Sequence, residues 1–251
     1  MEFEHVAAAV AGVPFMSREE GRIVYDHVRR TKPEVVLELG AAHGVSSAYI
    51  AAALEENGGG NVTTVESSAV TFEDPTAEEL LDRIGLARFA TVDRRFSTYT
   101  WFLKEQIQAR SDAAGNCEPL YDFCYLDGAK NWTTDGLAVL LVEKLLRPGG
   151  WLLMDDLDWT YSPVGDETVG VTEVAPMSPA ERSEPHLRAV FELIVKQHPS
   201  FTELRIQDGW WGWAKKAPGE PRVLTLETKR SLRSFAVAGM RWAKRRATTR
   251  G

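Results

Sequence analysis

Val35-Val36-Leu37-Glu38-Leu39-Gly40-Ala41-Ala42-His43-Gly44-Val45-Ser46-Ser47 is the stretch on which the fold turns. Its first five residues are almost continuously apolar, the pattern of a strand buried on both faces in a parallel sheet. Glycines at 40 and 44 with two alanines between them let the backbone approach a bound group at the start of the helix that follows. The Gly40-x-x-x-Gly44 spacing departs from the G-x-G-x-x-G of dinucleotide binding, which disfavours a nicotinamide oxidoreductase.

Outward from this turn, apolar β-rich runs alternate with helical patterns from about residue 17 to residue 216, which predicts an α/β fold with a mostly parallel sheet. Strands are expected at 35–39, 62–66, 88–92, 121–126, 151–155, 201–206 and 210–215, and helices near 17–30, 44–57, 76–84, 98–110, 134–147 and 179–198. Ser17 followed by Glu20 supplies a capping pair for the first helix. Only Gln207-Asp208-Gly209 separates the last two strands, a connection that permits an antiparallel hairpin and forbids a crossover helix. Residues 157–178 read as a long loop just after a strand end, where ligand-contacting loops occur.

The 251 residues, 44% hydrophobic and 26% charged, suit one α/β domain over 1–216 and an appended tail over 217–251. Nine basic side chains against one acid make residues 222–251 +8, which leaves −15 on the rest of a chain whose net charge is −7. So acidic a body argues against nucleic-acid binding. The tail has helical spacing at Leu232, Phe235 and Met240, which suits weak contact with a membrane surface or a partner. Two cysteines, Cys117 and Cys124, are too few for a zinc ribbon, and Cys124 reads as a core residue. An acidic start, Met1-Glu2-Phe3-Glu4-His5, and no membrane-length apolar run lead to the expectation of a cytoplasmic protein.

Glu66 closes the second strand, where a carboxylate can accept from both hydroxyls of a ribose. Together, Glu38-Leu39-Gly40-x-x-x-Gly44, Glu66, Tyr121-Asp122-Phe123-Cys124-Tyr125-Leu126-Asp127 and Leu146-Arg147-Pro148-Gly149-Gly150-Trp151 resemble the class I S-adenosylmethionine-dependent methyltransferases over roughly residues 14 to 216. The resemblance implies a Rossmann-like seven-stranded sheet with an antiparallel last strand and helices on both faces. It also implies Glu66 on the ribose, the Gly40–Gly44 backbone beside the methionine part, Ser97 near the adenine and Met16 as a lid contact. Glu38, Ala41, Ser46 and Asp127 are grouped with these as cofactor contacts.

Asp127 ends one strand while Asp155 and Asp156 end the next, so three acids can converge. Unpaired carboxylates there would repel one another unless a cation sits between them, and an all-oxygen donor set points to Mg²⁺, or alternatively Mn²⁺ or Ca²⁺. Asp127, Lys130, Asp155 and Asp156 resemble the set of the divalent-metal-dependent O-methyltransferases, which include catechol, caffeoyl-CoA and sugar enzymes. That branch carries Asp-Asn or Asp-Asp at the pair; Asp156 stands where the catechol enzymes have Asn, which favours a saccharide diol acceptor over a catechol or polyketide phenol. In this reading Lys130 takes the proton of the acceptor hydroxyl. Trp132, Trp159 and Tyr161 are expected to stack on the acceptor, and Trp210, Trp211 and Trp213 to serve as core or dimer surface of a homodimer. His43 lacks a partner at a recognisable spacing and is not assigned to catalysis. A non-catalytic binding module on the same fold is the rival from another class.

Overall fold

The computed structural model describes residues 1–69, 72–95 and 97–219. The chain divides into two units, Met1–Ser111 with Cys117–Pro221, and Asp112–Asn116 with Arg222–Gly251. In the described part of the second, Asp112 Oδ1 accepts the amides of Ala114 and Asn116, both at 2.9 Å, closing a turn. The basic-tail expectation falls on residues outside the described ones.

In the first unit, seven strands form one sheet: β1 Val35–Leu39, β2 Asn61–Ser67, β3 Ala90–Arg95, β4 Tyr121–Leu126, β5 Leu146–Met154, β8 Phe201–Gln207 and β9 Trp211–Lys216. They lie in the order β3-β2-β1-β4-β5-β9-β8. β1 to β5 pair in parallel, and β9 runs antiparallel to both β5 and β8. The hairpin between β8 and β9 turns on Asp208 and Gly209, with φ of 56° and 72°, the two left-handed residues of a tight primed turn.

Helices α1 Phe3–Ala9, α2 Arg18–Thr31, α3 Val45–Asn57 and α4 Ala77–Arg83 pack on one face around Val24, Tyr49, Ile50 and Phe123. On the other face α5 Tyr99–Arg110, α6 Trp132–Leu145 and α8 His186–Val190 enclose Leu37, Cys124, Val139 and Leu152. Burial of both sheet faces explains why β1 and β4 read as apolar runs rather than as alternating sequence. The Ser17–Glu20 capping box forms with both of its hydrogen bonds. Among the described residues no helix is long and apolar enough to cross a membrane.

Several elements depart from expectation. α1 was not anticipated, although Phe3 and Val6 are buried in the core. The long loop carries a two-stranded hairpin, β6 Thr168–Val169 with β7 Thr172–Glu173. The helix expected over 179–198 is divided into α7 Pro179–Ser183 and α8, the latter running on into a wider turn over Phe191–Val195. Pro185 causes the break: it restricts Glu184 before it, whose ψ is 131°, to extended backbone. α6 begins two residues earlier than expected because Asn131 caps it, accepting from the Thr134 amide.

Candidate active site

A cavity of about 500 Å³ opens at the carboxyl ends of β1, β2, β4 and β5, where the strand order reverses between β1 and β4. β2 and β5 stand three strand positions apart, roughly 14 Å at the usual inter-strand spacing, so the cavity has two separate ends.

The β1–β2 end is organised around the backbone of the glycine turn. Gly40 has φ of 101°, and a Cβ there would meet the Asp127 carbonyl oxygen at 2.1 Å, so no other residue lets β1 turn this close to β4. Glu66 Oε2 accepts the amides of Ala41 at 2.9 Å and Ala42 at 2.8 Å, which clamps the turn to the end of β2. Met16, Gly40, Ala41, Ser46, Glu66, Ser97 and Asp127, expected as cofactor contacts, all line the cavity. Two predicted contacts do not. Gly44, left-handed at φ of 84°, caps α3 and abuts Ala77, where a Cβ would come within 2.9 Å. Glu38 is fully buried and accepts from the Ser47 hydroxyl, its other oxygen having no partner; burial pushes its carboxyl up to about 7. Met16 precedes α2 rather than lying in a helix, and its lid position is shared by exposed Phe15, whose ring stacks on His43 and meets Phe72 edge-on. His43 Nδ1 donates to the Pro75 carbonyl at 2.7 Å, which orients the ring as part of the wall.

The β4–β5 end is built from charged side chains. Lys130 Nζ lies 2.8 Å from Asp127 Oδ1 and also pairs with Asp156 Oδ2. Asp155, 6% exposed, accepts from the Tyr125 hydroxyl and from the Asp156 amide; burial first, then the Asp127 charge and a smaller contribution from Glu20, hold its carboxyl well above the ordinary range. The expectation of unpaired acids awaiting a metal is thereby changed. The three carboxylates suit a hard cation chemically, but Lys130 stands between two of them and both oxygens of the third are hydrogen-bonded. Among the described residues no cluster of His, Cys, Asp and Glu is placed to hold a metal ion.

Trp159 lines the cavity, its amide donating to the Asp156 carbonyl at 3.0 Å. Tyr161 does not line it: fully buried, it donates to the Ala129 carbonyl at 2.9 Å and sets its ring against Trp159. Trp132, 43% exposed, faces a separate shallow groove beside His186. The first turn of α6 carries it past the cavity mouth. Of the closing-hairpin tryptophans, Trp211 and Trp213 are core, as expected, while Trp210 faces the cavity.

Sequence reasoning also missed a support beneath the charged end. Ala129 donates to the Tyr99 hydroxyl at 3.0 Å, that hydroxyl donates to Asp135, and Asp135 accepts the Asn131 amide at 2.7 Å, fixing the backbone on both sides of Lys130. Thirty-six residues separate Tyr99 from Asp135, and neither carries a spacing signal. Phe15, Ala42, Lys130 and Asp156 all line the cavity at positive φ, a clustering of uncommon backbone that marks functional sites.

Residues 37–157 match the family model of a methyltransferase domain. A search of curated proteins returns no match. Solved structures with the same fold include an SAH-bound methyltransferase from Podospora anserina, at TM-score 0.60 and 16% identity over 85% of this chain and 86% of that one. An O-methyltransferase from Bacillus cereus in complex with SAH aligns at TM-score 0.57 and 20% identity, covering 85% and 90%. The Streptomyces achromogenes O-methyltransferase TomG, involved in tomaymycin synthesis and solved with SAM, aligns at TM-score 0.56 and 17% identity, covering 86% and 89%. The matched span starts within β1 and ends just past the acid pair after β5, taking in the glycine turn, Glu66 and Lys130 together, so residues 37–157 are similar to a methyltransferase domain and the chain has the fold of the solved methyltransferases.

Proposed function

We propose that the protein transfers the methyl group of S-adenosylmethionine to a hydroxyl of a small-molecule vicinal diol borne on a ring, a saccharide or, alternatively, a catechol. One observation carries the reading: a single cavity joins the Glu66 end to the Lys130–Asp127–Asp156 cluster. Glu66 offers acceptor lone pairs to ribose hydroxyls, and the Gly40–Ala42 backbone leaves room for the methionine part. The sulfonium is already an activated electrophile, so positioning and deprotonation are what remain for the protein to supply. Lys130 in its amine form takes the hydroxyl proton. The oxygen forms its bond to the methyl carbon as the carbon–sulfur bond breaks, its electron pair staying on sulfur. Asp127 and Asp156 then stabilise the ammonium formed on Lys130, the pairing the structure describes.

A second reading has Mg²⁺ joining Asp127, Asp155 and Asp156. The all-oxygen donor set at neighbouring strand ends favours it; it requires Lys130 to leave its place between two of them. Labelled S-adenosylmethionine with a panel of saccharide and catechol diols, run with Mg²⁺ and with chelator, tests both. Transfer retained in chelator removes the second reading, and cofactor binding without transfer to any diol removes the first in favour of a non-catalytic module.

A further inference from the structure

Resting on the methyl-transfer reading of this cavity, we infer that the acceptor diol carries no anionic group and that an amine on it is favoured. The inference comes from what surrounds the charged end. Glu20, Asp127, Asp155 and Asp156 line it, with Glu66 farther along the same cavity. Among the described residues Lys130 is the one lysine or arginine in the lining, and its ammonium is already held by Asp127 and Asp156. A carboxylate, phosphate or sulfate on the acceptor would therefore lose water without gaining a counter-charge, and would face carboxylates at close range.

Beside the acid pair the lining also carries aromatic and apolar side chains. Trp159 and Trp210 are both fixed beside the acid pair, Trp159 through its amide to the Asp156 carbonyl and Trp210 through its carbonyl to the Leu157 amide at 2.9 Å. Val169, Gly170 and Val171 at the tip of the β6–β7 hairpin complete this wall. Thr172 ties the tip to the Lys130 segment, donating to the Ala129 carbonyl and accepting from the Asn131 amide side chain. A ring face suits these surfaces, and a sugar ring and a catechol ring both provide one. Glu20 is the acid that selects by charge without belonging to the Lys130 cluster. Its backbone-facing oxygen caps α2 through the Ser17 amide, a role glutamine also fills.

The test uses the full chain with S-adenosylmethionine and two matched series. The first is 2-(3,4-dihydroxyphenyl)ethylamine, the corresponding alcohol and 3,4-dihydroxyphenylacetate; the second is glucosamine, glucose and glucuronate. Within whichever series is methylated, which also identifies the ring, the amine and the neutral diol are expected to exceed the carboxylate in kcat/KM by at least about tenfold. Glu20→Gln is expected to narrow the amine-to-carboxylate ratio by about threefold or more. A carboxylate used as well as its neutral partner, or a ratio that Glu20→Gln leaves unmoved, overturns the inference. Affinities of the same compounds for the SAH-loaded protein give a parallel readout. Charge preference in binding without methyl transfer breaks the proposed function and not this inference; transfer without charge preference does the reverse.

Discussion

The two ends of the cavity are made in different ways. At the β1–β2 end, a short contiguous stretch of main chain, Gly40, Ala41 and Ala42, is held by the Glu66 carboxylate, with Phe15, Met16, His43 and Phe72 around it. At the β4–β5 end, side chains from α2, the β4 and β5 loops, the β6–β7 hairpin and the β8–β9 turn meet around an ion-paired lysine. A surface made of backbone recognises one molecule of fixed shape, whereas a surface made of side chains on several loops can be varied without disturbing the sheet. Under the proposed function, cofactor binding falls to one end and both proton transfer and acceptor choice to the other.

The sharpest way to break this division is to remove the amine. Lys130→Met is expected to lower kcat by about 10² to 10⁴-fold, with S-adenosylmethionine affinity held within a few-fold by calorimetry. An equal loss of cofactor affinity would erase the boundary between the ends. Next comes Glu66→Ala, expected to weaken cofactor binding by roughly 10 to 100-fold, through lost ribose contacts and a loosened turn, while turnover at saturating cofactor changes much less. A kcat that fell as far as the affinity would mean Glu66 also serves the chemistry.

Smaller effects probe what lies beneath each end. Tyr99→Phe removes the hydroxyl joining Ala129 to Asp135, and a loss of about 1–3 kcal/mol in unfolding free energy is expected in denaturant titrations, with a lowered kcat because Lys130 is less firmly placed. Unchanged kcat would show that the support is purely structural. Under the other end, Glu38 is raised from the ordinary 4.5 to about 7 by burial. A raised acid costs the folded state nothing below about pH 4.5, costs progressively more up to about pH 7, and a constant amount above. The stability of Glu38→Gln relative to the parent should therefore move in the variant's favour between these pH values, by on the order of 3 kcal/mol, and level off beyond. A pH-independent difference in melting would refute the buried, raised carboxyl.

The same contrast explains what could be read from the sequence. The strand positions, the closing hairpin and the glycine turn were legible because they rest on local requirements: a left-handed Gly40, an apolar β1, a connection at 207–209 too short for a helix. Glu66, Asp127 and the Asp155–Asp156 pair were legible because strand ends fix where their side chains emerge. Trp132 and Tyr161 were misplaced because proximity in sequence to a site residue says nothing of the direction in which a helix start or loop turns. The pairing of Lys130 with two acids, which replaces the expected repulsion, depends on left-handed backbone at both Lys130 and Asp156. Nothing in the residue types announces that conformation. Tyr99 and Asp135 meet only because α5 and α6 pack side by side.

The β6–β7 hairpin has only two paired positions, Thr168 with Glu173 and Val169 with Thr172, and it lies outside the seven-stranded sheet. Its tip nonetheless lines the cavity. Under the proposed function such an element is an exchangeable cassette: grafting a different tip between Thr168 and Thr172 would re-tailor which rings enter while the seven-stranded sheet and the glycine turn keep their sequence, so new acceptor preferences lie a few codons away from the present one.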